Sequence, residues 1–304
     1  MRTLVTGGAG FIGSNSVEEL VKLGHEVVVL DDFSLGKQAN LSAVKDKIEI
    51  VRGDIRDFDL IKKTTKGVDF VLHQAAASSS PMFIEDLKNA FSVNMDGFIN
   101  LLNAARDNGV KKIVHASTSS LYANNPVPLR EDMHITPPNF YSVSKLAAEH
   151  LGTIFSNEYG LDIIGLRYMS VYGPHEESKG KFANLISQFL WSMLKNEQPV
   201  IYGNGTQTRD FTFVGDVVQA NILAINSKVK NDIFNVGTGK ATSLNELVDI
   251  LNRLLGKKIE PKYIKIPVKN YIRTQLADIS KIKKALNYSP NYSLEDGIRK
   301  LISH

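Results

Sequence analysis

The chain has 304 residues, of which 43% are hydrophobic and 22% are charged, and it contains no cysteine. This composition can fill a sizeable core, and it excludes a disordered chain, a disulfide scaffold, a thiolate zinc site and a cysteine nucleophile. The net charge of +4 comes from scattered lysines, so it suits an anionic small molecule as well as a nucleic acid.

The amino terminus carries a strand, a glycine-rich turn and a helix. Residues 3–6 predict a short buried strand, and Gly7-Gly-Ala-Gly10-Phe-Ile-Gly13 leads into an amphipathic helix that ends near Leu23. Such glycines allow a tight turn and let backbone N–H groups approach a pyrophosphate at the helix N-terminus. The next strand, 26–30, ends at Asp31, whose carboxylate suits ribose hydroxyls and repels a 2′-phosphate. The pattern predicts a dinucleotide site that prefers NAD to NADP; a glycine turn that binds nothing is the alternative.

Strand-like runs and helical patterns then alternate. Further strands are predicted at 48–51, 69–72, 112–115 and 161–166. This alternation is typical of an α/β fold with a parallel, doubly wound sheet that binds ligands at the carboxyl ends of its strands. No apolar run approaches the roughly 20 residues that span a bilayer, and the residues after Met1 already form a strand pattern, so we expect a cytoplasmic protein.

A tyrosine and a lysine stand four residues apart in a helical segment, Tyr141-Ser-Val-Ser-Lys145. Residues at this spacing lie on one helical face, so both side chains can point into one pocket. A nearby cation stabilises a phenolate and lowers its pKa from the ordinary value of about 10. The pair is therefore a candidate proton shuttle, although the same spacing also occurs by chance on surface helices.

Taken together, the motifs resemble the extended short-chain dehydrogenase/reductases, and within them the nucleotide-sugar epimerases similar to UDP-glucose 4-epimerase. The resemblance covers nearly the whole chain. Besides the glycine turn, Asp31 and Tyr141-x-x-x-Lys145, the motifs that carry it are Asp54-Ile55, His73-Gln-Ala-Ala, Asn94, Ser117-Thr-Ser-Ser-Leu-Tyr122, Arg167-Tyr-Met-Ser-Val-Tyr-Gly-Pro174, Arg209-Asp-Phe and Leu276-Ala-Asp278.

The resemblance implies a Rossmann domain over 1–173 that binds NAD, and a smaller α/β domain, mainly 174–304 and partly interleaved, that binds a UDP-hexose. Tyr141 would take the proton from a sugar hydroxyl while the attached hydrogen leaves as hydride to the nicotinamide. Lys145 would hold the phenolate, and Thr118 would hydrogen-bond the reacting oxygen. In a 4-epimerase the hydride returns to the other face of the 4-keto sugar, so NAD is regenerated in each cycle.

The resemblance also implies which residues contact the two ligands. It implies no metal, and neither a nucleic acid nor a membrane as a partner. The implied cofactor contacts are Gly7, Gly10, Phe11, Ile12, Gly13, Asp31, Asp32, Ser34, Gly36, Asp54, Ile55, Gln74, Ala75, Ala76, Ser78, Asn94, Tyr141, Lys145, Tyr168 and Met169. The implied substrate contacts are Ser78, Thr118, Ser119, Tyr141, Ser170, Asn184, Tyr202, Arg209, Lys269, Arg273 and Gln275.

Other members of the family remain alternatives: a dehydratase, a decarboxylase, a 4-keto reductase, or a scaffold that senses NAD without turnover. The dehydratases carry Thr-Asp-Glu where this chain has Thr118-Ser119-Ser120, and serine cannot supply that acid and base near neutral pH. Gln275 replaces a tyrosine that in some relatives restricts the C2 substituent, which suggests room for an N-acetyl group. A uronic acid is less expected, since Glu176-Glu177 follow Gly-Pro-His without an arginine to receive its carboxylate.

Two long helices complete the expectations. Helices at about 82–108 and 140–159 are implied by the resemblance to pair with their copies in a homodimer through a four-helix bundle. Asp216 and Ser243 are predicted N-caps of the helices that follow them.

Overall fold

A computed structural model describes residues 1–266 and 271–303 of the chain. The predicted substrate contact Lys269 lies outside these residues. Among them, no helix combines the length and the apolar character needed to cross a bilayer. The strands are β1 (Arg2–Thr6), β2 (Glu26–Asp31), β3 (Ile48–Arg52), β4 (Phe70–His73), β5 (Lys112–Thr118), β6 (Asp162–Tyr168), β7 (Ser170–Tyr172), β8 (Val200–Tyr202), β9 (Thr208–Arg209), β10 (Phe211–Phe213), β11 (Asn231–Val236), β12 (Thr242–Ser243) and β13 (Lys262–Ile264). The α-helices are α1 (Phe11–Lys22), α2 (Phe58–Thr64), α3 (Ser80–Glu85), α4 (Leu87–Asp107), α5 (Phe140–Tyr159), α6 (Leu185–Leu194), α7 (Val214–Asn226), α8 (Leu244–Leu255), α9 (Ser280–Leu286) and α10 (Leu294–Ile302).

A parallel sheet of seven strands forms the centre of the described residues, in the order β11-β6-β5-β4-β1-β2-β3. The chain runs from β1 outward through β2 and β3, then returns to the other side of β1 and continues through β4. Ligands of such sheets bind in the crevice beside this reversal, at the carboxyl ends of the strands. The predicted fold class, a doubly wound parallel sheet, is confirmed.

Helices cover both faces of the sheet, so its central strands are apolar on both sides. In β1, Val5 packs into the core that includes Val17 of α1 and Val217 of α7. Its neighbour Leu4 faces the opposite core, with Phe98 of α4. Both β1 residues are fully buried, which anchors the glycine turn that follows this strand.

The remaining strands form three two-stranded sheets: β7 with β10, β8 with β13, and β9 with β12. A third core, in which Phe189 of α6, Leu247 of α8 and Ile298 of α10 are buried, holds this part together. Strand β11 lies late in the sequence but belongs to the central sheet, where it pairs with β6. The division into domains at residue 173 stays a prediction.

Two local predictions were wrong. The expected helix over 82–108 is two helices, because the backbone leaves helical geometry at Asp86 (φ −148°, ψ 88°), whose side chain caps α4 by accepting from the Asn89 N–H at 3.0 Å. Asp216 is not an N-cap but lies inside α7, where its buried carboxylate accepts from the Asn291 N–H at 2.7 Å. Ser243 does cap α8, by accepting from the Glu246 N–H.

Candidate active site

A cleft of about 790 Å³ lies at the carboxyl ends of the central strands, a volume within the roughly 300–1,000 Å³ of most small-molecule sites. Segments that follow β1, β2, β3, β4, β5 and β6 line it. The lining includes all of the predicted cofactor residues except Asn94. The sheet therefore brings these scattered motifs together, and their individual contacts with a cofactor stay predictions.

The glycine turn packs closely against the neighbouring backbone. Gly7 has a φ of 66°, and a Cβ there would lie 2.6 Å from the Ala75 nitrogen; a Cβ on Gly13 would lie 2.1 Å from the Gly7 carbonyl oxygen. Helix α1 begins at Phe11 without a side-chain cap or an acidic residue in its first turn. The first N–H groups of a helix lack intrahelical acceptors and attract anions, so the turn suits the pyrophosphate of a dinucleotide.

Asp31 ends β2 at the edge of the cleft, where its side chain is almost fully buried. One carboxylate oxygen accepts from the Ala9 N–H at 2.9 Å and the other from the Phe33 N–H at 2.8 Å. Burial raises the pKa of this carboxyl, while these two hydrogen bonds lower it. Each carboxylate oxygen has a second lone pair, which fits the predicted contact with ribose hydroxyls.

Two further acidic residues at the cleft have local partners. Asp32 accepts from both the N–H and the hydroxyl of Ser34, at 2.9 and 2.6 Å, which fixes the turn after β2. The guanidinium of Arg56 donates to Asp54 from its Nε at 2.9 Å and holds the pKa of that carboxyl below its usual value. Arg56 also lines the cleft and was not among the predicted contacts.

Asn94 lies behind the cleft wall. Its side-chain oxygen accepts from the Ala77 N–H at 2.8 Å, and its nitrogen donates to the Ala77 carbonyl and to the Ser144 hydroxyl. This buried amide therefore fastens the loop after β4 to helix α5. In the described structure it supports the cleft, and a direct contact with the cofactor stays a prediction.

Tyr141 and Lys145 both line the cleft from the first turns of α5. Asn139 fixes the start of this helix, because its side chain accepts from the Ser142 N–H at 2.9 Å. The Lys145 ammonium donates to the Ala116 carbonyl at 2.8 Å. Thr118, at the end of β5, lines the same part of the cleft and interacts with the Tyr141 phenol.

The electrostatics of this group differ from the expectation. Burial raises the pKa of the Tyr141 phenol, and the hydrogen bond with Thr118 lowers it by less. Burial lowers the pKa of Lys145 to about 8, and the nearby Glu149 carboxylate opposes that shift. Lys145 was predicted to lower the pKa of the phenol, and the polypeptide alone does not show this effect. Desolvation penalises the phenolate, and the Lys145 ammonium donates to the Ala116 carbonyl instead.

A buried ionic network lies behind Lys145. Glu149, one helical turn further along α5, receives two hydrogen bonds from Arg167, at 2.9 and 2.7 Å. The Ser117 hydroxyl also donates to Glu149, and Arg167 donates to the Tyr122 hydroxyl at 2.8 Å. The network joins α5 to β5 and β6 directly below the cleft, and it was missed although Tyr141, Lys145 and Glu149 repeat every four residues.

The predicted substrate residues fall into two groups. The cleft lining includes Ser78, Thr118, Tyr141, Ser170 and Asn184. The other described residues predicted to bind the substrate do not line it: Ser119, Tyr202, Arg209, Arg273 and Gln275. The predicted contacts of these residues with the substrate stay predictions.

Gln275 forms hydrogen bonds with one residue from each group. Its amide oxygen accepts from the Ser170 hydroxyl at 2.7 Å, and its amide nitrogen donates to the Ser119 hydroxyl at 2.8 Å. The side chain is almost fully buried. Both ends of this amide are therefore engaged beside the cleft.

Tyr202 and Arg209 form a separate cluster with Tyr271. The Arg209 guanidinium lies 5.5 Å from the centre of the Tyr271 ring, and the two tyrosine rings are 6.4 Å apart. Burial lowers the pKa of Arg209. Asn184 has a local role as well, since it caps α6 by accepting from the Ile186 N–H at 3.0 Å.

Comparisons with known proteins agree with this geometry. The model of the NAD-dependent epimerase/dehydratase family matches residues 3–237. The chain is 36% identical over 307 residues to a UDP-glucose 4-epimerase of Mycolicibacterium smegmatis, covering 99% of this chain and 97% of that protein. Its fold resembles that of the UDP-N-acetylglucosamine 4-epimerase from Methanobrevibacter ruminantium (TM-score 0.95, 34% identity, 99% and 97% of the two chains). It also resembles the UDP-glucuronic acid 4-epimerase from Bacillus cereus in complex with UDP-glucuronic acid and NAD (TM-score 0.91, 30% identity, 100% and 98%).

Proposed function

This chain belongs to the NAD-dependent epimerase/dehydratase family, and from that premise we propose that it is an NAD-dependent 4-epimerase that interconverts UDP-glucose and UDP-galactose. The enzyme is an isomerase, as its relatives are. One observation carries the proposal: Tyr141, Lys145 and Thr118 line the same cleft as the glycine turn. A protein that only sensed NAD would have no use for this acid/base group.

The residues of the cleft fit NAD. The glycine turn and the start of α1 would hold its pyrophosphate, and Asp31 would hold its adenosine ribose. When bound, NAD would supply the acceptor for the hydride from C4 of the sugar and the donor of the same hydride to the opposite face of the 4-keto sugar. The cofactor is therefore not consumed.

The residues of the chain supply the proton chemistry. Tyr141 takes the proton of the C4 hydroxyl while the hydrogen on the C4 carbon leaves as hydride. It returns a proton to the C4 oxygen when the keto sugar is reduced again. Thr118 donates a hydrogen bond to that oxygen, and the charged Lys145 stabilises the phenolate. Thr118 and Lys145 are almost fully buried and Tyr141 is half-buried, which limits the access of water to the transfer.

The alternatives differ in the residues that they require. A dehydratase needs an acid and a base beside Thr118, where this chain has Ser119 and Ser120. Relatives named for glucose, N-acetylglucosamine and glucuronic acid lie at similar identity, so identity alone does not choose the sugar. We choose the neutral hexose because Glu176 and Glu177 stand where an arginine would have to receive a uronate.

The N-acetylhexosamine pair is a further substrate in this proposal. Gln275 stands where some relatives have a tyrosine, and its amide is held by Ser170 and Ser119. An amide fixed in this way leaves more room beside C2 than an aromatic ring does. We expect Gln275→Tyr to lower turnover of UDP-N-acetylglucosamine more than turnover of UDP-glucose.

The experiment that tests the function follows the purified protein by proton NMR without added NADH. Separate samples contain UDP-glucose, UDP-N-acetylglucosamine and UDP-glucuronic acid. We expect the 4-epimer of UDP-glucose to accumulate to a constant ratio without net reduction of NAD. The matched control is Tyr141→Phe, which removes one hydroxyl, keeps the packing, and is expected to keep the fold while turnover falls by about 100-fold or more.

Three outcomes would contradict the proposal. Turnover of UDP-glucuronic acid and of no other sugar would replace the substrate assignment. Net consumption of NADH in a parallel sample to which it has been added would indicate a reductase. Wild-type turnover by Tyr141→Phe would remove the proposed base.

We also propose that two copies pair through α4 and α5. Exposed apolar side chains lie along these two helices: Leu87, Ile99, Phe140, Val143 and Ile154. On α5, Phe140, Val143 and Ile154 recur at spacings that keep them on one side of the helix, as in a helical bundle. A cytoplasmic location stays a prediction from the sequence.

A further inference from the structure

We propose that Lys179 binds the pyrophosphate of the cofactor beside the start of α1, so that the segment from Glu176 to Asn184 holds the bound dinucleotide. The inference rests on the proposed use of NAD. It adds a contact that the glycine motif does not contain, in a segment that has no regular pattern in the sequence.

Lys179 reaches the start of α1 from a distant part of the chain. Its ammonium lies 5.5 Å from the centre of the Phe11 ring, and Phe11 is the first residue of that helix. Both side chains line the cleft. A diphosphate held by the first N–H groups of α1 would therefore have this cation close by.

A buried carboxylate holds Lys179 in this position. Glu176 is fully buried, and one of its oxygens lies 3.4 Å from the Lys179 ammonium. The same oxygen accepts from the Asn184 N–H at 2.8 Å, and the other accepts from the Ser187 hydroxyl at 2.6 Å. Glu176 is thus fixed by the start of α6, and it keeps the flexible lysine over the cleft.

The other cations of the cleft are already engaged. Among the described lining residues, the remaining basic side chains are Arg56 and Lys145. Arg56 is paired with Asp54, and Lys145 donates to the Ala116 carbonyl on the cleft floor. Lys179 makes a longer contact with its carboxylate and keeps 26% of its side chain exposed, so it can donate to a diphosphate.

Glu176 also connects the two ligand sites. The Asn184 side chain is a predicted substrate contact, and its backbone is held by the same carboxylate that holds Lys179. The segment from Glu176 to Asn184 consequently carries both a proposed cofactor contact and a predicted substrate contact.

The test compares Lys179→Met with Lys181→Met, the same change two residues away on a side chain that is 75% exposed and outside the cleft lining. Calorimetry measures the Kd of three probes: ADP-ribose, which carries the pyrophosphate, adenosine, which carries no phosphate, and UDP. We expect Lys179→Met to raise the Kd of ADP-ribose about 10-fold at low salt and to leave the Kd values of adenosine and UDP unchanged. The loss should shrink as salt is raised, Lys179→Arg should restore most of the affinity, and Lys181→Met should match the wild type.

Equal affinity of wild type and Lys179→Met for ADP-ribose would overturn the inference and leave Lys179 as an ion-pair partner of Glu176. Weaker binding of UDP with unchanged ADP-ribose would overturn it too, by assigning the cation to the other diphosphate. Failure of the wild type to bind either NAD or ADP-ribose would overturn the proposed function and this inference with it. Wild-type binding of NAD therefore separates the two failures.

Discussion

Lys145 is a buried cation whose charge depends on pH near the physiological range. Burial lowers its pKa to about 8, so the amine is charged below that pH and neutral above it. Only the charged form can stabilise the Tyr141 phenolate. In the proposed mechanism, the advantage that Lys145 gives to proton removal is therefore present at low pH and is lost as the pH rises through about 8.

We expect Lys145→Met to lower turnover about 100-fold at pH 7, and the ratio of wild-type to variant turnover to decrease above about pH 8. The measurement is kcat for both proteins from pH 6 to 10, with the exposed Lys22→Met as control, whose ratio to wild type should stay near one. A wild-type to Lys145→Met ratio that is constant over this range would show that the ammonium charge does not act on the phenol.

The residues that sequence alone could identify are those fixed by local geometry. Tyr141, Lys145 and the glycine turn follow from helix and turn rules, and the structure brings them into one cleft. Glu149 could have been found by extending the same four-residue spacing. Lys179 could not, because its position depends on the chain returning over α1 from a segment without periodicity.

At the scale of elements, a buried lysine holds the end of one helix against the sheet. Lys112, at the start of β5, is 3% exposed, and its ammonium donates to the Ser227 carbonyl at 2.6 Å just after the end of α7. Burial lowers the pKa of this lysine, and the Asp162 carboxylate at 3.9 Å opposes the shift. The cation satisfies carbonyl groups that a helix end leaves without partners.

We expect Lys112→Met to lower the free energy of unfolding by about 2 kcal/mol, because it leaves the partly buried Ser227 carbonyl without its charged donor. The neighbouring Lys111→Met makes the same chemical change at a side chain that is 66% exposed and paired with Asp69, and should cost less than about 1 kcal/mol. Urea unfolding of both variants measures the difference. Equal losses would mean that the contact with Ser227 contributes nothing beyond a surface ion pair.

The strands were the most predictable elements, and the helix breaks were the least. Apolar runs such as 26–30 place β1 to β6 within three residues of their observed ends, whereas β11 was not predicted. The break between α3 and α4 at Asp86 was not predicted, because the apolar pattern continues on both sides of it. Nothing in that periodicity shows that the Asp86 side chain turns back to cap α4.

At the scale of the whole molecule, the exposed apolar side chains of α4 and α5 predict a dimer. We expect Ile154→Glu to halve the mass measured by light scattering at low micromolar concentration, because it buries a charge in the proposed interface. Ile302→Glu, the same change at an exposed isoleucine of α10, should leave the mass unchanged. A wild-type protein that is monomeric at every concentration would contradict the four-helix pairing.

The late position of β11 has a consequence for the making of the protein. Strand β6 is complete once Tyr168 has been synthesised, but the strand that covers its outer side begins only at Asn231. A ribosome that pauses between these residues holds a nascent sheet with an unpaired apolar edge, which is the kind of surface that joins other chains. The speed of translation through this interval should therefore affect the yield of native enzyme more than a pause after Val236.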